Sequence, residues 1–139
     1  MRAECFLDAN VLLYLALGSE DEPAKYQRSL ALLREANFGL SAQVLQEFYV
    51  NAVRKSRRPL PPARALEWIN EFEQFPCVDI TCSLIKIAIE LSERYRIGYW
   101  DGAIIAAAEH LGAPILYTEA LNHGQMYGSV QVRNPFYDI

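Results

Sequence analysis

"FLDANVLLYL", residues 6–15, is an apolar run that climbs to a carboxylate at Asp8 and resumes at Val11. Residues 4–8 are short and apolar, the length of a buried strand with Asp8 at its end, and Asn10 can cap a helix starting at Val11. The same alternation continues outward. "FGLS" (38–41), "CVDI" (77–80), "ILYT" (115–118) and "SVQVR" (129–133) are strand-sized. Between them apolar residues recur at helical spacing: Tyr26, Leu30, Leu33 and Ala36 within 24–36, and Val44, Leu45, Phe48 and Ala52 within 43–55. Leu66, Ile69, Phe72 and Phe75 form another stripe, Leu84, Ala88, Leu91 and Tyr95 a further one within 83–96, and a last helix spans about 100–111. Breaks fall at "GSEDEP" (18–23), where Pro23 suits a helix's first turn, at the Pro-rich 56–64, at Gly98 as a helix end, and at Gly112 and Pro114. Short strands alternating with helices predict an α/β domain around a mostly parallel sheet. No repeat, low-complexity tract or dividing linker interrupts residues 1–139, so a single domain is expected.

Composition narrows the function classes. Of the 139 residues 52% are hydrophobic, enough for a core, and the net charge of -4 has the wrong sign for a broad nucleic-acid coat. A local basic patch remains compatible with that charge. Three cysteines, Cys5, Cys77 and Cys82, form no C-x-x-C pair, and His110 and His123 lack a second ligand at helical spacing. A zinc site or disulfide framework is therefore not expected, and the thiols read as buried residues in a reducing cytosol. The N-terminus runs straight into a strand, leaving no room for a signal peptide, and no apolar stretch approaches the ~20 residues of a membrane helix. A cytoplasmic protein with no membrane contact is expected.

Ligands of open α/β sheets bind at the carboxyl ends of the strands. Asp8 ends the first strand, Glu47 lies early on the helix after the second, Asp101 opens a helix, and Glu119 follows the fourth strand. Each alone has a plainer reading: an Asx turn at Asp8, first-turn charges at Glu47 and Asp101, a loop charge at Glu119. Together they could converge on one edge of the sheet. Gathered carboxylates repel unless a cation joins them. Mg2+ or Mn2+ takes oxygen ligands, keeps waters and binds phosphate oxygens, which suits phosphodiester hydrolysis.

"FLDANVLLYL", "SAQVLQEFYVNAVRK", "YWDGAIIAAAEHLGAPILYTEALNHGQ" and "VQVRNPF" resemble the PIN-domain proteins, and among them the toxin ribonucleases of VapBC toxin–antitoxin pairs. The resemblance runs in order from about residue 5 to residue 136. It implies a three-layer α/β/α sandwich and hydrolysis of RNA with Mg2+ or Mn2+. It places the metal-binding acids on Asp8, Glu47 and Asp101, with Asn10 beside the first acid and Thr118 before the last acidic position. It also implies an antitoxin partner and a homodimer, for which the apolar faces of residues 11–17 and 24–53 are candidates. One departure stands out. The family's usual T/S-x-D reads Thr118-Glu119-Ala120 here, so Ala120 replaces the acid and Glu119 comes one residue early. Neighbouring side chains of an extended segment face opposite ways, so Glu119 is a fourth catalytic candidate with its reach open.

For RNA, "RKSRR" offers Arg54, Lys55, Arg57 and Arg58; a solvated helix end is the alternative. His123 is a loop residue with a proton or a structural hydrogen bond to give. Tyr99 and Trp100 can stack on a base or pack into the core. Two other classes compete with this reading. A phosphotransfer enzyme would want D-x-D-x-T or a late lysine, and the chain has neither. A non-catalytic binding module with a degenerate metal site would explain Ala120.

Overall fold

The structure, a computed structural model, describes residues 2–139. Six strands and six helices follow in the order β1 (Cys5–Leu7), α1 (Ala9–Asp21), α2 (Pro23–Glu35), β2 (Phe38–Ser41), α3 (Ala42–Val50), α4 (Pro62–Phe72), β3 (Cys77–Val78), α5 (Cys82–Tyr95), α6 (Tyr99–His110), β4 (Ile115–Tyr117), β5 (Met126–Tyr127) and β6 (Val130–Arg133). The strand order across the sheet is β3-β2-β1-β4-β6-β5. All pairings are parallel except the β5–β6 hairpin. Every residue of β1 and β2 is buried, as a sheet covered on both faces requires. The fold is the expected three-layer α/β/α sandwich.

The winding fixes where a ligand can sit. From β1 the chain steps outward to β2 and β3, then returns to lay β4 on the other side of β1. The reversal opens a crevice beyond the carboxyl ends of β1 and β4. Asp8 follows β1 and Thr118 follows β4, so both stand at that crevice.

Helix α6 is enclosed all round. Residues Gly102 through Ala108 are all buried, an Ala- and Ile-rich stretch with no polar face. Its first turn lies against α5 so closely that a Cβ at Gly102 would stand 2.7 Å from the Ala88 carbonyl oxygen and 3.1 Å from Ser92 Cβ. Gly102 is what lets the two helices touch, and the residue before it is Asp101.

Several local expectations are corrected. Asp8, not Asn10, caps α1, because its own Oδ1 accepts from the Ala9 N–H at 2.7 Å and starts the helix at Ala9. The helix expected over 43–55 is α-helical only through Val50 and ends in a π-helical turn over Asn51–Lys55, where Asn51 Nδ2 donates to the Glu47 carbonyl. On α4, Ala65 and Phe72 face the core, whereas Leu66 and, beyond the helix end, Phe75 are exposed. α5 ends on Arg96 in the left-handed region (φ 53), while Gly98 begins α6. Tyr95, which Arg96 follows, is needed near the hairpin, where its hydroxyl accepts from the Gly128 N–H. The two-residue β5 is too short to leave a sequence pattern, but Gly128 (φ 60) and Ser129 make its tight turn into β6. Cys5 is buried and Cys77 half-buried, but Cys82 is exposed on the first turn of α5. Among the described residues no helix is long and apolar enough to cross a membrane.

Gly102→Ala should lower the unfolding free energy by about 2 kcal/mol in urea titration, since overpacking against a backbone oxygen, up to ~3 kcal/mol, exceeds the ~1 kcal/mol gained in helix propensity.

Candidate active site

The crevice is built around one carboxylate. Asp8 is 8% exposed. Its Oδ1 accepts from Ala9 N–H, and its Oδ2 accepts from the Thr118 hydroxyl at 2.8 Å. Thr118 is fully buried, and its Oγ1 also receives Asn10 Nδ2 at 3.2 Å and the Ala120 N–H at 3.1 Å. Two donors point at that oxygen, so its single proton goes to Asp8. The same logic fixes the Asn10 amide: its nitrogen faces Thr118, which leaves its buried Oδ1 with no partner among the described residues.

Burial pushes the Asp8 carboxyl up to about 6, against the pull of Thr118 and Ala9; the negative charges of Glu47 and Asp101 push the same way. The three acids are therefore electrostatic neighbours, although they come from the residue after β1, from α3 and from α6. Burial also raises the Asp101 carboxyl above the ordinary carboxylate range. Glu47 Oε1 accepts from Gln43 Nε2 at 2.9 Å. Among the described residues, no ion pair includes Asp8, Glu47 or Asp101. No three His, Cys, Asp or Glu side chains among them stand close enough to hold one ion directly. The donor set nevertheless fits a hard divalent cation with waters in its shell: carboxylate oxygens without cationic partners, and the orphaned Asn10 carbonyl.

Residues 5–120 match the family model for the PIN domain. The chain belongs to the PIN-domain family. Solved structures share the fold at low identity. A toxin–antitoxin complex from Klebsiella pneumoniae superposes with a TM-score of 0.70 at 18% identity, covering 97% of this chain and 99% of that one. VapC20 from Mycobacterium tuberculosis, a toxin that cleaves the sarcin–ricin loop, gives 0.63 at 18% identity over 82% and 88% of the two chains. VapBC2 from Rickettsia felis, bound to a DNA fragment from its promoter, gives 0.62 at 19% over 94% and 97%. No curated protein matches the sequence.

Within this PIN fold the remaining candidates are placed differently. Glu119 turns to other partners: Oε1 accepts from the Tyr14 hydroxyl at 2.7 Å, and Oε2 pairs with Lys25 Nζ at 3.2 Å. Lys25 in turn lies over the Tyr14 and Phe136 rings. Ala120 contributes only its backbone N–H to Thr118. Arg58 pairs with Glu20 and with Asp21 (3.6 Å), and Arg57 stands 4.0 Å from Asp21. Arg54 is exposed, and the Lys55 side chain lies outside the described residues. His123 is structural: its Nδ1 accepts from the Asn134 N–H at 2.9 Å and its ring stacks on Tyr137. Trp100 is 67% exposed, which excludes the core packing weighed for it, whereas Tyr99 is half-buried.

Sequence reasoning missed Gln43, although it lies one helical turn before Glu47 and so on the same face. It also missed Tyr14 and Lys25 as partners of Glu119, a pairing that arises only from the fold. Ile85, Ile87 and Ile89 on α5 are exposed, an apolar surface outside the segments expected to carry one.

Asp8 makes stability pH-dependent in the metal-free protein. Its folded carboxyl holds a proton that the unfolded chain releases at the ordinary 3.8, so its contribution is full below pH 3.8 and is lost as pH rises through about 6. Between about pH 4 and pH 7.5 the parent should lose about 2–3 kcal/mol of unfolding free energy that Asp8→Asn does not lose, by urea unfolding in chelator.

Proposed function

We propose that this chain is a metal-dependent endoribonuclease, the toxin of a toxin–antitoxin pair, with residues 1–139 acting as one PIN-like domain in the cytoplasm. The observation that carries this reading is Asp8: a buried carboxylate at the reversal of the sheet, with Glu47 and Asp101 as charged neighbours and, among the described residues, no ion pair to neutralise them. Family membership agrees with it.

In this reading Asp8, Glu47 and Asp101 hold Mg2+ or Mn2+, partly through water, and the orphaned Asn10 Oδ1 offers a further oxygen. When bound, the cation supplies Lewis acidity: it lowers the pKa of a water and offsets charge developing on the phosphate. Thr118 fixes the Asp8 carboxylate by its hydroxyl, and Asn10 and Ala120 fix Thr118. Asp101 opens α6, so its orientation follows from the packing of that helix on α5. Glu119, engaged by Tyr14 and Lys25, stays outside this donor set.

Arg54, Lys55, Arg57 and Arg58 are the proposed RNA contacts. The pairs of Arg57 and Arg58 with Glu20 and Asp21 are surface ones, worth about 0–1 kcal/mol, so phosphates can displace them. The antitoxin is proposed to occupy the 290 Å³ cleft between α1 and the end of α3, lined by Leu13, Tyr14, Leu17 and Asn51. A homodimer completes the proposal. Ala120 and the engagement of Glu119 favour a second reading, a PIN-like binding module whose metal site has decayed.

Calorimetric titration with Mn2+ should find a saturable site in the antitoxin-free protein. Asp101→Asn should weaken it, and should cut Mg2+-dependent RNA cleavage at least about 100-fold. Products should carry 5′-phosphate and 3′-hydroxyl ends. Absence of a Mn2+ site at millimolar concentration would favour the binding module. Replacing Arg57 and Arg58 together with alanine should lower the slope of log affinity for single-stranded RNA against log salt by about 1.4.

A further inference from the structure

Gln43 is buried, at 7% exposed, on the first turn of α3. Its side-chain nitrogen donates twice: to Glu47 Oε1 at 2.9 Å, and to the Trp100 carbonyl oxygen at 3.2 Å. Both partners are pure acceptors, so the amide can stand only with its NH2 toward them. The first bond runs one helical turn along α3 and fixes the Glu47 rotamer. The second crosses to the first turn of α6, at the residue before Asp101. Among the described residues it is the hydrogen bond that joins these two helices.

We propose that Gln43 is a positioning residue for the metal-binding acids, setting Glu47 relative to Asp101 by joining the Glu47 carboxylate and the Trp100 carbonyl oxygen, one residue before Asp101, to one amide. The inference rests on the nuclease reading above. Glu47 is half-buried on a long, flexible side chain, and without a clamp it samples several rotamers. The Asp101 backbone is held by the packing of α6 on α5. The clamp therefore fixes the Glu47 carboxylate and references it to the helix that carries Asp101. Partners that orient a metal's carboxylates typically matter 10–100-fold for affinity.

The test is Mn2+ affinity by calorimetry, well below each protein's melting midpoint, on the parent, Asp101→Asn, Gln43→Met, Gln43→Asn and Gln46→Met. Gln43→Met keeps the length and loses both donors. Gln43→Asn keeps the amide but is one methylene too short to reach both acceptors. Gln46 is exposed on the same helix and serves as the control. The expected result is about tenfold weaker Mn2+ binding for both Gln43 variants, with Gln46→Met like the parent. If the parent binds Mn2+, Asp101→Asn loses it, and both Gln43 variants bind as the parent does, the positioning role is overturned while the metal site stands. An equal weakening by Gln46→Met overturns it too, because α3 would then be acting as a whole. If the parent binds no Mn2+, the nuclease reading itself fails and the positioning role with it.

Discussion

The hydrogen bond from Thr118 to Asp8 joins the ends of β1 and β4, strands far apart in the chain, at the point where the sheet reverses direction. A carboxylate with so little exposure is costly to ionise, and the surroundings answer with two donors rather than a countercharge. The remainder of the crevice follows from that choice. Asn10 supports Thr118, and the Ala120 N–H supports it from the other side. Glu47 and Asp101 stand near enough to add their charges to the burden on Asp8. Such a centre is electrostatically unfinished, and that is the property a cation-binding crevice needs.

Rigid elements carry the three acids. Asp8 directly follows the buried strand β1 and is itself the cap of α1, so its backbone has no freedom to wander. Asp101 belongs to a helix enclosed from Gly102 to Ala108 and pressed onto α5 where no side chain intervenes. Glu47 is the exception. It projects from α3 on a longer side chain, and its neighbours include the Gln43 amide and, through the Asn51 bond to its own carbonyl, the start of a π-helical turn. The site thus combines two acids set by the fold with one set by local hydrogen bonds.

Much of this was legible in the sequence, for reasons that differ residue by residue. The order of strands and helices was readable because each buried strand is a short apolar run and each helix repeats its apolar residues. Asp8 and Asp101 stood out because they interrupt or border apolar runs, where a charge needs a reason. Other features were hidden. Cap identity at Asp8 versus Asn10 depends on one residue of helix phase. The strand over Met126–Tyr127 exists only through its partner β6. The inward face of α4 carries Ala65 and Phe72, with Leu66 turned to solvent, a difference of one residue of helix phase. The fate of Glu119 depended on Lys25 and Tyr14, distant residues whose pairing with it no local pattern encodes.

The separation between Asp8 and Thr118 has a consequence in time. Nearly the whole chain lies between the two residues that make the crevice, and β4 must pair with β1 before they meet. A contact that spans most of the sequence closes late, after local helices and the β1–β2 neighbourhood can already have formed. During synthesis the acids of β1, α3 and α6 leave the ribosome in turn without the strand that completes their setting. The nascent polypeptide therefore stays without its finished centre until β4 has been made.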